Sequence, residues 1–403
     1  MDFNLSDSQK AIQARARRFA LERIRPKIEV LDSQDRFPGE IRDGLRAEQF
    51  WGLPFPEQYG GSGEGYLSYL LAIEQLSKEA AAVGATLSVH TMAAATIFHY
   101  GNESQKKAYL PALLSGDAIG SFSFTEAATG SDPGAIVTQA TKSDGHYVLD
   151  GRKMFSSNST LDGVAIVFAK DVEKGNEISA FVVPKNSRGF EVEAPVKKMG
   201  LGGFETAPYT LNSVAVPSEN VVGGEACRGK GFQILLDMIS VGKLGIAAQS
   251  LGMAERALDE SVKYAGERRQ LNKPLRMFPT IQALVAEMAT EIEASRWLVY
   301  NAGFIKDRGE GIALEAAMAK LFCAQSAKRV IDKAMSVHGC YGYIKDRTVE
   351  RLYRDVKLGE LYEGTEEIQK ILIASKVLWP RFSSKKIQEP ARTLSQSAAS
   401  IDQ

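Results

Sequence analysis

"VHGCYGYIKDRTVERLYRDVKLGELYEGTEEIQK", residues 337–370, sets one acid, Glu363, between an aromatic, Tyr362, and a glycine, Gly364. Gly339 and Gly342 let the chain bend tightly and approach a ligand, after which a charged, helix-like run leads into Glu363. Gly364 then frees the backbone to turn, so that the carboxylate can face a pocket. A lone glutamate near apolar residues is usually a charge at a helix end. What the rest of the chain builds around it therefore decides between the two readings.

Working outward, residues 233–380 show the helical period in long segments. In "FPTIQALVAEMATEIEASRWLVYNAGFIKDRG" the apolar residues Ile281, Leu284, Val285, Met288 and Ile292 mark one stripe, as packed helices of a bundle require. Residues 121–232 change texture to short β-rich runs, "GHYVLDG", "GVAIVFAK", "ISAFVVPK" and "YTLNSVAVP", separated by Gly, Asn, Ser and Pro. They predict a small antiparallel β domain. Residues 1–120 return to helical spacing, as in "YLSYLLAIEQLSKEAAAVGATLSV", with "FPEQYGGSGEG" as a break. The tail 381–403 is rich in Ser, Ala and Gln with no apolar face, and is expected to be mobile or to lie on a neighbour.

The composition excludes several classes of function. Among 403 residues, 49 basic and 49 acidic side chains cancel without a long block of one sign, so neither nucleic acid nor an anionic membrane has an electrostatic footprint. Cys227, Cys323 and Cys340 lie far apart without C-x-x-C spacing, which argues against a disulfide framework or a metal cluster and for a reducing, cytoplasmic setting. The N-terminus "MDFNLSDSQKAIQARARRF" has no apolar core of a signal peptide, and no run is expected to reach the ~20 apolar residues of a membrane span.

Three further stretches could carry chemistry. "SFSFTEAATGSDPGAIVTQAT", residues 121–141, holds hydroxyls and small residues where a buried strand would hold branched apolar ones. It suits close approach by an anionic or heteroaromatic ligand, and also an ordinary turn. "GRKMFSSNS", residues 151–159, sets Phe155 beside Ser156, Ser157 and Asn158: a wall for a planar cofactor, or a strand ending in a polar turn. In "YAGERRQLNKPL", residues 264–275, Arg268 and Arg269 could fork onto a pyrophosphate or simply complement a helix C-terminus.

Together, in this order and spacing, the four stretches resemble the acyl-CoA dehydrogenase family over about residues 1–380. "TEAATGSD" is similar to the family's T-E-P-x-x-G-S-D, "KMFSSN" to K-x-W-I-T-N, "ERRQLNKPL" to E-R-x-Q-F-G-x-P, and "YEGTEEIQ" to Y-E-G-T-x-x-I-Q. The resemblance implies an α+β fold with an N-terminal all-α domain, a middle antiparallel β domain and a C-terminal four-helix bundle, assembled as a homotetramer that holds FAD between subunits. It implies that Phe122, Phe124, Thr125 and Ser131 lie beside the flavin or the acyl-CoA, with Phe155 and Ser157 on the other side of the ring. Arg268, Gln270 and Leu271 would meet the FAD of a neighbouring subunit, with Ser336 and Cys340 also on the cofactor, and Thr365 with Glu367 at its pyrophosphate and ribose. Lys243, Tyr362 and Gly364 would join Ser131 on the substrate side.

The implied reaction is α,β-dehydrogenation of an acyl-CoA to the trans-2-enoyl-CoA, with electrons passing to an electron-transfer flavoprotein. Glu363 resembles the general base; desolvation should raise its pKa towards that of its target. The thioester carbonyl would be polarised by the Glu363 N–H and a flavin hydroxyl, donors typically worth ~3–4 kcal/mol each. Some members carry the base on the long helix that opens the C-terminal domain, where this chain has Gly242 followed by Lys243 in place of the usual arginine. Leu271-Asn272 replaces Phe-Gly, Cys340 stands where glycine is common, and Ala127 replaces the signature proline.

Residues 84–101, "GATLSVHTMAAATIFHYG", resemble the acyl-pocket helix and hold no Arg, Lys, Asp or Glu. That points away from a dicarboxylic acyl group and towards a neutral, short to medium aliphatic one, with His90, Met92 and Phe98 expected to line the pocket. An oxygen-using oxidase and an enoyl-CoA reductase share the fold and remain alternatives. A non-enzymatic DNA-associated homologue is disfavoured, because the extension that such a protein would make basic also carries Glu389 and Asp402.

Overall fold

The computed structural model describes residues 4–345 and 347–379; the segment read as a polar tail, 381–403, lies outside the described residues. The chain opens with α1 (Asp7–Phe19), started by a capping box in which Ser6 Oγ accepts from the Gln9 N–H and Gln9 Oε1 accepts from the Ser6 N–H. Next come α2 (Ile28–Asp32), α3 (Gly39–Ala47), α4 (Gly65–Ser77), α5 (Ala81–Tyr100) and α6 (Glu103–Ser115). α4 and most of α5 are buried all round, so they form the centre of the N-terminal helices rather than one amphipathic layer.

The middle region holds seven strands: β1 (Ile119–Ser123), β2 (Gln139–Ser143), β3 (His146–Ser157), β4 (Gly163–Asp171), β5 (Glu177–Pro184), β6 (Phe190–Val192) and β7 (Thr206–Pro217). They form one sheet in the order β1-β4-β2-β3-β7-β6, with β5 on the other edge of β4. The ladders β2–β3, β3–β7, β4–β5 and β6–β7 are antiparallel, as expected, but β1 and β2 each pair parallel to β4. The sheet is therefore mixed: the β2–β3 hairpin serves as the crossover that lets β1 lie parallel to β4. All five residues of β1 are buried. Its small side chains have a packing reason, since a Cβ on Gly120 would stand 2.5 Å from Ala93 Cβ of α5. The stretch read as a ligand loop thus begins as a strand, and the loop proper starts only after Ser123.

The C-terminal helices are α7 (Gly231–Glu267), α8 (Pro279–Asp307), α9 (Ala313–His338), α10 (Thr348–Asp355) and α11 (Glu366–Leu378), with a small hairpin, β8 (Arg269–Gln270) and β9 (Lys273–Pro274), between α7 and α8. α7, α8 and α9 pack on one another and α11 packs on α9, while α7 also packs on α4 and α5. On α8 the predicted stripe is buried at Met288 and Ile292 but only half-buried at Ile281, Leu284 and Val285. The expectation of no run near 20 apolar residues is corrected by α5 and α7. Both are long and apolar enough to cross a membrane, yet 94% and 83% of their most apolar windows are buried inside this protein.

Glu79, 2% exposed, ties the helical regions together: it accepts from Arg17, Arg25 and Arg256, and its carbonyl accepts from Arg351. Burial opposes its charge, but the hydrogen bonds from Arg25 and Arg17 and the charge of Arg256 outweigh that and hold the carboxyl below its usual range.

Candidate active site

The turn that presents Glu363 is held from three helices. The Tyr362 hydroxyl donates to Gln249 Oε1 on α7, and Gln249 Nε2 donates to the Ala81 carbonyl at 2.8 Å. Gln369 Nε2 on α11 donates to the carbonyls of Glu363 and Gly364 at 3.1 and 3.0 Å, and Lys320 Nζ on α9 donates to the Gly364 carbonyl at 2.7 Å. Positive φ, expected of Gly364 alone, occurs at two consecutive residues: φ is +53° at Glu363 and +89° at Gly364. A non-glycine residue in the left-handed region is strained, and here the three anchors impose it.

The strain aims the carboxyl at the backbone of α7. A Cβ on Gly242 would stand 2.6 Å from Glu363 Oε2 and 2.4 Å from Met92 Sδ, so the bare helix surface there is what admits the carboxyl. The residue keeps partial solvent access, but Oε2 is buried without a hydrogen-bond partner among the described residues. Burial pushes the acid up to about 7 against the opposing pull of Lys243 and Lys320. Both lysines are themselves buried, which lowers each to about 8 although Glu363 favours their charged forms.

The end of β1 and the loop after it converge on the last residues of β3. The Met154 N–H donates to the Thr125 carbonyl at 2.8 Å, and the hydroxyls of Ser123 and Ser156 lie 2.5 Å apart. Glu126 and Lys153, both essentially buried, form an ion pair at 2.7 Å, and Glu126 also accepts from the Val137 N–H and from the N–H and hydroxyl of Thr138. One carboxylate thereby pins the ends of the loop that carries Thr125 and the exposed Ser131. On β3 the register against β7 slips between Lys153 and Ser156. This bulge turns Phe155, φ +51°, outward to 59% exposure. Phe122 is buried and Phe124 half-buried, their rings 6.3 Å apart edge to face.

Asn158 links these loops to the Glu363 turn: its Nδ2 donates to the carbonyls of Thr86 and Gly120, its N–H donates to Glu205, and neighbouring Phe204 meets the Tyr362 ring at 6.4 Å. An exposed aromatic face at the end of β3, beside the partly accessible Ser157 and Thr125, fits a planar isoalloxazine.

Not every implied site residue gathers here. Arg268 follows Gly242 along α7 by about 39 Å of helix at ~1.5 Å per residue, and Ser336 lies about 24 Å beyond Lys320 on α9. Arg268 lies over the Tyr341 ring at 5.2 Å, which joins it to the exposed Cys340 and to the hairpin bearing Gln270 and Leu271, the latter 84% exposed. Positive φ at Leu271 and Asn272 makes that hairpin a two-residue turn and explains why asparagine serves where glycine is usual. These five residues form a second group, far from Glu363 of the same chain. Thr365 stands between the Glu363 turn and the first residue of α11, and the Glu367 carboxyl is held below its usual range by its own backbone N–H and the Thr365 hydroxyl.

Of the expected acyl-pocket residues, Met92 lies with Glu363 against the bare surface of Gly242, whereas His90 is fully buried against Trp51 with Nδ1 accepting from the Gly120 N–H, and Phe98 packs on Phe55 and Tyr59. Sequence reasoning missed Lys320, Gln249 and Gln369. For Lys320 a signal existed: it occupies a core position of α9, in line with buried Ala316, Cys323 and Ala327.

Comparison with known proteins agrees along the chain. Residues 6–117, 121–214 and 229–378 match the families described as acyl-CoA dehydrogenase N-terminal, middle and C-terminal domains. An acyl-CoA dehydrogenase of Bacillus subtilis is 41% identical over 93% of this chain and 99% of its own length. The caffeyl-CoA reductase-Etf complex subunit CarC of Acetobacterium woodii is 36% identical over 93% of this chain and 99% of its own. Butyryl-CoA dehydrogenase from Megasphaera elsdenii superposes with a TM-score of 0.91 at 38% identity, over 94% of this chain and all of that one.

Proposed function

This chain belongs to the acyl-CoA dehydrogenase family, whose members are FAD-dependent oxidoreductases, and we propose that it converts a neutral, short to medium aliphatic acyl-CoA into the trans-2-enoyl-CoA. The observation that carries this reading is Glu363: a carboxyl turned inward by a strained backbone, Oε2 buried and unpartnered, and raised to about 7 beside two buried lysines. Such a group is poised to take the weakly acidic α-proton near neutral pH. FAD, when bound, accepts the hydride from the β-carbon. The chain's residues do the rest.

Glu363 Oε2 holds the proton. No acceptor among the described residues takes the Glu363 N–H, so it is available to the thioester carbonyl. Lys243 and Lys320 stabilise the carboxylate before proton transfer. The loop at Thr125 and the end of β3 at Phe155–Ser157 would hold the flavin ring, and Tyr362 and Gly364 shape the substrate side. The short acyl length is supported by the likeness to butyryl-CoA dehydrogenase.

The second group, Arg268, Gln270, Leu271, Ser336 and Cys340, meets the FAD of a neighbouring subunit in a homotetramer. Its distance from Glu363 and the half-exposed apolar stripe of α8 support that arrangement. The three units are 1–120, 121–232 and 233–380, and three free thiols support a reducing, cytoplasmic setting. Electrons leave to an electron-transfer flavoprotein, supported by the Etf complex named for the Acetobacterium woodii relative. That relative is a reductase, which favours enoyl-CoA reduction at the same site as the second reading.

Purified protein should be yellow, and anaerobic titration with butyryl- or hexanoyl-CoA should bleach it. A colourless protein that cannot be loaded with FAD, or a holoprotein that no acyl-CoA bleaches, would overturn the proposal. Comparing oxygen with electron-transfer flavoprotein as the acceptor then tests the electron partner.

A further inference from the structure

The segment that carries Phe155 is bracketed by two buried lysines. On β3, Lys153 sits where the register against β7 slips, and its ammonium donates to Glu126 Oε1 and to the Phe168 carbonyl of β4, each at 2.7 Å. Lys185 follows the last residue of β5. Its backbone N–H donates to the Gly163 carbonyl at 2.9 Å, and its ammonium donates to the carbonyls of Asn158 and Leu161, each at 2.6 Å. Asn158 and Leu161 are the two ends of a tight turn, closed by the Leu161 N–H donating to the Asn158 carbonyl at 3.2 Å. One ammonium therefore spans the turn that follows Phe155 and Ser157.

This segment needs holding. Phe155 and Asn158 have φ of +51° and +61°, in the left-handed region that residues other than glycine enter at a cost. Such residues persist only where their surroundings over-determine them. Asn158 is fixed through its side-chain amide, and Ser159 Oγ donates to the carbonyls of Ser156 and Ala207 at 2.8 and 3.1 Å. Those bonds join neutral groups, whereas Lys185 adds a charged donor, which bonds more strongly. The fold gives up stability to keep it there. Lys185 is 9% exposed, both its acceptors are neutral carbonyls, and burial lowers the ammonium to about 7 against the pull of Asp162. His90 of α5, held neutral by burial, adds no countercharge. A neutral, apolar side chain would avoid that cost but would leave both carbonyls without their shared donor.

We infer that Lys185 is a positioning residue for the cofactor: by holding Asn158 and Leu161 together it fixes the angle at which Phe155 and Ser157 meet the isoalloxazine ring. This rests on the reading of Phe155–Ser157 as the flavin wall. Lys185 acts through the turn, from a buried place, and meets neither ring nor substrate. Without it the turn keeps its neutral hydrogen bonds, so the strand end still forms but the wall is set less firmly.

The test is Lys185→Met in the full, FAD-loaded chain. Flavin retention is read as the rate of FAD release, from the rise of flavin fluorescence on dilution; ring placement as the visible circular dichroism of bound flavin; and the fold as a thermal melt in excess FAD. The expected results are release faster by about tenfold or more, an altered dichroism band, and a melt within a few degrees of the parent, because removing a buried charge offsets the loss of its hydrogen bonds. Lys185→Arg keeps charged donors and should bring release back to within about threefold of the parent. Release within about twofold of the parent with an unaltered band would overturn the inference. So would faster release accompanied by a melt lowered by more than about 5 °C and not restored by arginine, since Lys185 would then serve the fold alone. Lys185→Gln, with one neutral donor, takes the place of the methionine variant if that does not fold, and is judged by the same readings. Phe155→Ala separates this inference from the reading beneath it. A band unaltered by Phe155→Ala would remove the flavin wall itself, whereas a band altered by Phe155→Ala but not by Lys185→Met would remove only the role assigned to Lys185.

Discussion

The most informative perturbation of the site is Gly242→Ala, because one methyl group is driven into the carboxyl that we assign as the base. The new Cβ would stand 2.6 Å from Glu363 Oε2 and 2.4 Å from Met92 Sδ, against an ordinary contact of 3.4 Å or more. The carboxyl oxygen must retreat by about 0.8 Å and the sulfur by about 1 Å. Both atoms belong to unbranched, flexible side chains, so overpacking costs at the low end of ~1–3 kcal/mol. Replacing glycine within a helix returns ~0.5–1 kcal/mol. The fold should therefore survive with a melting temperature within a few degrees. Catalysis should not: misplacing a reacting group by about 1 Å costs about 100-fold, or ~2.7 kcal/mol at the transition state. Stopped-flow bleaching by butyryl-CoA measures this directly, with flavin absorbance and a thermal melt on the same sample as controls. A variant that melts normally, stays yellow and bleaches within about threefold of the parent rate would refute the argument that Gly242 makes room for the base.

Buried charges supply the other expectations. Lys320→Met removes the donor to the Gly364 carbonyl and one of the two charges that pull Glu363 down from above its present value of about 7. The base must be ionised to work, so the rise of the bleaching rate with pH, centred near 7 in the parent, should move to higher pH; an unshifted profile would count against the lysine's role. Glu79→Ala removes the carboxylate that Arg17, Arg25 and Arg256 share; because those arginines keep 27%, 47% and 12% of their side chains exposed and can turn to water, the cost in urea unfolding at neutral pH should be about 1–3 kcal/mol. Since the folded-state pKa of Glu79 is depressed, its contribution is present above the unfolded pKa and fades as pH falls through the folded one, so parent and variant should converge in acid. Equal stability at neutral pH would contradict this. Lys153→Met leaves the Glu126 carboxylate buried without its cation and should loosen the loop through Thr138, lowering the flavin-to-protein ratio after desalting. An unchanged ratio would show that the ion pair does not support the cofactor loops.

Residues differ in how far their roles could be read from the sequence. Glu363 was legible because an acid between an aromatic and a glycine, beside apolar neighbours, is locally odd. Lys320 was legible in principle as a charge on the buried stripe of α9, but its partner, the Gly364 carbonyl, is 44 positions away and invisible to local patterns. Gly242 read only as the absence of an alternative base; that it seats the base depends on α7 crossing under residue 363. Phe155 read as an aromatic wall, yet what turns it outward is a register slip against β7, a non-local pairing. The same limit applies to β1, whose parallel pairing with β4 cannot be inferred from alternation along either strand. Arg268 and its neighbours were assigned to the cofactor by motif alone, and only the length of α7 reveals that they stand far from their own chain's Glu363.

The measurement that bears most directly on the central claim is the reductive half-reaction of Glu363→Gln. Glutamine keeps the shape of the side chain but cannot accept the α-proton. The yellow protein should still bind acyl-CoA, seen as a perturbed flavin spectrum, while bleaching falls by at least about 1000-fold. Bleaching at the parent rate would mean that another group takes the proton and that the strained turn at residue 363 serves some other purpose.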